Sequence, residues 1–243
     1  MGPAPLPLLG TFHEISIVAD DVRAAVEFYE RLGFTQATTT DTYSHPYGVL
    51  TDGRLFIGLH RRAGPSTALT FVRPGIATHL GDFVSAGLEL TNCRTGEEVF
   101  NEIAFADPFG HTVALLEART YSPVARAATE TSLCGDFAEV SLPVREFAAA
   151  QAFWEPLGFV ALESQAPYPH LSLTSDQIDL AFHLPDVCRR PMLVFHDPGM
   201  RARIARLREL NLPLAAGPVH GDASALLKSP DGTALLLLEQ EDA

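Results

Sequence analysis

FHEISIVADDVRAAVEFYERLGF (12–34) and FAEVSLPVREFAAAQAFWEPLGF (137–159) are one pattern written twice. Each begins Phe-x-Glu, continues through a β-branched residue and a serine, and ends Phe-aromatic-Glu-x-Leu-Gly-Phe after a helical stretch. Reading outward from these stretches, LTDGRLFIGLH (50–60) matches LTSDQIDLAFH (173–183), and FADPFGHTVALLEA (105–118) matches LKSPDGTALLLLEQ (227–240). A self-similarity this long marks a duplicated module. It predicts one module over 11–118, a polar, Pro-containing linker over 119–135, and a second module over 136–240.

Each module subdivides. In 12–18 the residues alternate, with His13, Ile15 and Ile17 on one face and Glu14, Ser16 and Val18 on the other, as in a half-buried strand. Asp20 or Asp21 is placed to cap a helix whose apolar residues Val22, Ala25, Val26, Tyr29 and Leu32 recur at helical spacing, and Gly33 stands where a glycine stops a helix. Short strands follow, ending in LFIGLH. Then the order repeats with ALTFV, THLGDFVSAGLEL and the strands leading to VALLEA. Strand, helix and three strands thus occur four times, an α+β organisation. The apolar faces (Ile15, Ile17; Val140, Leu142) are expected to meet the helices, leaving Glu14, Ser16, Gly58 and His60, and in the other copy Glu139, Ser141, Asp179, Ala181 and His183, on the opposite face. A sheet covered by helices on one side and polar on the other lies flat in solvent or curls around a cavity.

The totals restrict function. Hydrophobic residues make up 47% and charged residues 19%, enough apolar content for a sizeable core. The net charge of −13 argues against a phosphate-backbone partner, so no nucleic acid is expected. The three cysteines, Cys93, Cys134 and Cys188, are far apart and show neither a CxxC pair nor a zinc spacing, which favours reduced thiols and a cytoplasmic location. The opening MGPAPLPLLG is a poor signal peptide, and runs such as ALLLLE are too short to span a bilayer, so no membrane partner is expected. Dinucleotide, P-loop, GxSxG and HExxH patterns are absent.

The first strand followed by DDVRAAVEFYERLGF, the ending DPFGHTVALLEA and their second-module equivalents resemble the vicinal oxygen chelate superfamily, the group of glyoxalase I, bleomycin-resistance proteins and extradiol dioxygenases. The resemblance covers nearly the whole chain. It implies four βαβββ units forming two tandem glyoxalase-like modules, each an eight-stranded curved sheet, or cup, with its helices outside. It also implies four metal-ligand positions in each cup. Carried over, these fall on Glu14, Gly58, Thr67 and Ala114 in the first module and on Glu139, Ala181, Arg190 and Leu236 in the second. A one-residue slip stays open at the third and fourth positions. Glycine, alanine and leucine donate nothing, threonine is a poor ligand and arginine repels a cation, whereas a divalent ion needs several converging donors. The expectation is therefore no metal and no cofactor, with a divalent metal as the alternative.

Other polar residues share these cup faces. His60 and His183 lie two residues beyond Gly58 and Ala181, so Glu14 with His60 and Glu139 with His183 are candidate acid–base pairs, a carboxylate fixing the tautomer of each imidazole. Ser16 and Ser141 sit beside them. The segments HPY (45–47) and YPH (168–170) place His45, Tyr47, Tyr168 and His170 where rings can rim a cup and stack on a flat ligand. Thr67 and Arg190 complete the ligand-binding candidates. His13 is assigned to the helix side and His111 to a structural turn. The basic helix carrying Arg201, Arg203, Arg206 and Arg208 reads as a solvated face.

Three classes of function remain. The first is a metal-free cup that binds a small organic molecule. The second is a lyase or isomerase of the glyoxalase type, working by Glu/His proton transfer or an atypical metal site. The third is a structural or partner-binding module, whose mark would be cups filled by side chains such as Phe56, Met192, Leu236 and Leu238. Extradiol dioxygenase chemistry is least favoured, because its iron needs two histidines and one carboxylate. The expected partner is a small-molecule ligand or substrate, with a homodimer left open.

Overall fold

The structure is a computed structural model describing residues 7–37, 44–118, 132–163, 167–218 and 223–239. Most of the expected linker, residues 119–131, lies outside the described residues. The order strand, helix, three strands occurs four times. The first unit is β1 (Thr11–Val18), α1 (Val22–Arg31), β2 (Thr35–Gln36), β3 (Tyr47–Thr51) and β4 (Phe56–His60). The second is β5 (Thr67–Val72), α2 (Leu80–Ser85), β6 (Leu90–Arg94), β7 (Glu102–Ala106) and β8 (Thr112–Leu116). The second copy repeats this as β9 (Asp136–Pro143), α3 (Phe147–Trp154), β10 (Val160–Leu162), β11 (His170–Thr174) and β12 (Leu180–His183). It ends with β13 (Met192–Asp197), α4 (Met200–Glu209), β14 (Leu214–Ala216), β15 (Ser224–Lys228) and β16 (Ala234–Glu239).

These strands make two eight-stranded sheets of identical topology, β2-β3-β4-β1-β5-β8-β7-β6 and β10-β11-β12-β9-β13-β16-β15-β14. Neither sheet is closed. In each, the two units meet where their first strands pair antiparallel, β1 with β5 and β9 with β13. The first strand of each unit runs parallel to its last.

Local chemistry accounts for the elements. Asp21 caps α1, its side chain accepting from the Ala24 amide at 3.0 Å, and removes one of the orphan donors of the first turn. Gly33 and Gly158 follow their helical turns at φ of 91° and 100°, a left-handed backbone that favours glycine. Ile15, Ile17, Val140 and Leu142 are buried, as their alternation predicts, in a core that runs through both modules. The modules are joined directly. Phe34 meets Phe195 edge-on at 6.4 Å, Phe105 meets Phe153 at 6.3 Å, and the Leu133 amide donates to the Leu32 carbonyl at 2.7 Å. The helix-facing sides of the sheets therefore share one interior, and the polar faces belong to the two cups.

The alternation fails near the start of the first strand of each module. Between Phe12 and Glu14 the pairing of β1 with β5 slips by one residue, and the same slip recurs where β9 meets β13, between Phe137 and Glu139. A β-bulge of this kind re-aims the extra residue. In the second module that residue is Ala138. In the first it is His13, which is brought to the Glu14 side of the strand instead of the helix side assigned from the alternation.

Candidate functional site

In the first cup, Glu14 is almost fully buried, at 1% exposure, and both its oxygens are occupied. Oε1 accepts from the Ser16 hydroxyl at 2.7 Å and from His60 Nε2 at 3.0 Å; Oε2 accepts from the Tyr47 hydroxyl at 2.8 Å. Because a carboxylate only accepts, Ser16 spends its proton on Glu14, so the 2.7 Å contact between Ser16 and Thr70 has the Thr70 hydroxyl as donor. By the same logic His60 carries its proton on Nε2 when neutral. Its Nδ1 then accepts from His45 Nε2, 3.0 Å away. His13 Nε2 stands 3.9 Å from the other carboxylate oxygen. Burial raises the Glu14 carboxyl, but the His60 hydrogen bond, the His13 imidazole and the Ser16 hydroxyl outweigh it and hold the group below its ordinary value. Tyr47 packs on His60 with ring centroids 4.5 Å apart. His45 is pushed down by burial first, and then by its neighbours His60 and Arg62.

The second cup uses the same residue types differently. Glu139 and His183 do not pair. Neutral His183 donates from Nε2 to the Cys188 carbonyl at 3.0 Å, and its Nδ1 accepts from the Ser141 hydroxyl at 2.7 Å. Glu139 contacts the Ser172 hydroxyl at 3.2 Å, which in turn lies 3.1 Å from His170 Nε2. Without an imidazole, Glu139 is raised by burial to about 7, against the Ser172 hydrogen bond, and Asp179 adds to the rise. His183 is lowered by burial to about 4. Tyr168, whose ring is tilted against His170 with centroids 5.4 Å apart, is buried, and its phenol is raised by burial and by Glu139.

Two expected residues stand elsewhere. Thr67 pairs with Ile17, a helix-side position at the start of β5; the residue opposite Glu14 is Thr70, three residues further along the strand and beyond the one-residue slip left open for this position. Arg190 is exposed, bonds the Gly232 carbonyl at 3.2 Å, and leaves the position opposite Glu139 to Val194. His111 is held by Asp107 at 2.8 Å within its turn. Two residues that complete the first cup were missed from the sequence. Thr70 was hidden by the ambiguous register of β5. His13 was hidden by the bulge, for which the sequence carries no visible signal beyond the non-matching faces of Phe12 and Ile15.

The floors of the cups differ at matched registers. Ala68 lies opposite Ser16, Thr70 opposite Glu14, Ala114 beside Thr70 and Ala104 beside Ala114. The corresponding residues of the second module are Met192, Val194, Leu236 and Leu226. Tyr168, Met192, Val194, Ala234, Leu236 and Leu238 form their own hydrophobic cluster, against which Val187 and Cys188 of the β12–β13 loop pack. The corresponding β4–β5 loop, residues 61–66, is exposed throughout, and Ala104 and Ala114 are only half-buried. Phe56, also expected as a filler, stays partly exposed. A separate cavity of about 390 Å³ at the seam of the modules, lined by Leu9, Phe71, Phe159 and Gln177 among others, contains none of these cup residues.

No protein-family model matches the chain, and neither does any curated protein. Solved structures do. A catechol 2,3-dioxygenase superposes with a TM-score of 0.62 at 13% identity, over 97% of this chain and 89% of its own. The 2,3-dioxygenase LapB from Pseudomonas sp. KL28 gives 0.63 at 16% identity, over 98% and 94%. The Mn(II)-bound glyoxalase from Novosphingobium aromaticivorans gives 0.61 at 12% identity, over 96% and 82%. The chain has the vicinal oxygen chelate fold. Identities this low carry the fold alone. A vicinal oxygen chelate metal centre does not fit the donors found here: both Glu14 oxygens are turned to protein donors, β4 contributes Gly58 beside Ser16, and the floor offers Ala114 and one threonine hydroxyl. Among the described residues no group of three or more His, Cys, Asp or Glu side chains is placed to hold a metal ion. No helix among them is long and apolar enough to cross a membrane.

Proposed function

We propose that the first cup is the ligand site of a metal-independent protein that binds a small organic molecule, and that the second cup is a filled, structural copy. The observation carrying this reading is the register-matched contrast between Ala68, Thr70, Ala104 and Ala114 and their counterparts Met192, Val194, Leu226 and Leu236. Small residues leave room above a sheet; large ones occupy it. Pockets for small molecules combine an apolar wall with a few fixed polar groups. The alanine floor with Tyr47, His45 and the Glu14 network has that composition.

A second reading, a lyase or isomerase of the glyoxalase type, is supported by the continuous chain His45–His60–Glu14. A proton accepted at His45 can be passed through His60 by exchange of its tautomer, while the buried carboxylate stabilises the transient cation. The free thiols Cys93, Cys134 and Cys188 support a reducing, cytoplasmic location.

The test is a small-molecule screen by nuclear magnetic resonance on isotopically labelled full chain. Binders are expected to shift resonances of Tyr47, Ala104 and Ala114 and to spare Met192 and Leu236. Shifts confined to the second cup, or to neither, would refute the assignment; turnover of a binder would select the second reading.

A further inference from the structure

Gly58 on β4 lies beside Ser16 of β1, and Ala181 on β12 lies beside Ser141 of β9 in the same register. A β-carbon built on residue 58 overlaps the Glu14 carboxylate at Cδ, Oε1 and Oε2. Gly58 is not among the glycines with positive φ, so its backbone accepts an L-residue and the need for glycine is one of space. The carboxylate thus lies across β4 in the volume a side chain would fill, and from there it reaches His60.

The second cup has the methyl group that the first lacks. There the glutamate turns to Ser172 on β11, and the histidine, left without a carboxylate, takes Ser141 and the Cys188 carbonyl. The first module has Val49 where the second has Ser172, and the donor its strand β3 offers to Glu14 is instead the Tyr47 hydroxyl, two residues away. Ser16 and Ser141 follow the same division, one donating to a carboxylate and the other to an imidazole.

We infer that residue 58 is a positioning residue: its missing side chain makes Glu14 the partner of His60, and the Ala181 methyl group denies the same pairing to Glu139 and His183. This deepens, and for its functional meaning rests on, the reading of the first cup as the ligand site. A single methyl group then decides which of two duplicated cups carries a coupled carboxylate–imidazole pair.

The experiment is direct observation of imidazole N–H resonances in ¹⁵N-labelled full chain without ligand, comparing native protein, Gly58→Ala and Ala181→Gly. The native protein should show a downfield, exchange-protected His60 Nε2 proton bonded to a carboxylate. Gly58→Ala should lose it while the core methyl resonances of Ile15 and Ile17 persist. Ala181→Gly should move the His183 Nε2 proton downfield as its acceptor changes from the Cys188 carbonyl to Glu139. A His60 signal unchanged by Gly58→Ala overturns the inference, and so does a His183 signal unchanged by Ala181→Gly. If Gly58→Ala fails to fold, the second variant carries the test alone. The spectra need no ligand, so they can fail or succeed independently of the ligand screen.

Discussion

His60 Nε2 lies 3.0 Å from Glu14 Oε1, whereas His183 Nε2, at the equivalent place in the duplicate, lies 3.0 Å from the carbonyl of Cys188. The two modules share a topology and a residue pattern, yet one couples its carboxylate to an imidazole and the other separates them. This asymmetry gives opposite expectations for substitutions that look identical in the sequence.

Glu14→Gln should destabilise the protein by about 2–4 kcal/mol, because three donors converge on a buried carboxylate and an amide leaves one of them facing another donor. Glu139→Gln at neutral pH should cost little or be stabilising, since that carboxyl is raised to about 7 and has one hydroxyl partner in view. Urea denaturation at pH 7.5 measures both. Equal losses would mean that the two glutamates are held alike.

The second cup also sets a pH signature. Glu139, raised to about 7 from 4.5, binds more protons folded than unfolded across that interval, so its contribution to stability falls as pH rises from 4.5 to 7. His183, lowered to about 4 from 6.5, binds fewer protons when folded, so its contribution rises as pH rises from 4 to 6.5. Each amounts to a few kcal/mol at most. The slopes oppose each other. Glu139→Gln should expose a stability that climbs between pH 4 and 6.5, and His183→Gln one that declines between pH 4.5 and 7. Denaturation midpoints across that range give the sign; two variants with the same slope would contradict the assignment.

Filling the first cup should be tolerated and emptying the second should not. Leu236 is fully buried, and Leu236→Ala should cost about 2–4 kcal/mol through lost contacts and the cavity left behind. Ala114 is half-buried on the cup floor, and Ala114→Leu should cost less than about 1 kcal/mol while abolishing the binding of any ligand found by the screen. Retained binding in Ala114→Leu would move the ligand site elsewhere.

Elemental analysis of untagged protein purified without chelator should find near-zero divalent metal, unchanged after incubation with divalent ions, because the Glu14 oxygens are committed to Ser16, Tyr47 and His60. About one ion per chain would sink the metal-independent reading and make His13, Glu14 and His60 the suspected ligands.

The sequence by itself determined the duplication, the α+β order and the buried faces, because these depend on local periodicity: Ile15 and Ile17 at strand spacing, Asp21 as a cap, Gly33 as a stop. It also placed Glu14, Ser16 and His60 on one face, since side chains two apart on a strand stay together. Only the tertiary structure decided what those residues do. The bulge that turns His13 toward Glu14 and the register that puts Thr70, not Thr67, opposite it are properties of strand pairing, which a single strand does not encode. The loop carrying Val187 and Cys188 closes one cup through contacts remote in sequence. The difference between Gly58 and Ala181, one methyl group on a neighbouring strand, acquires meaning only when a carboxylate from another strand is found in its place.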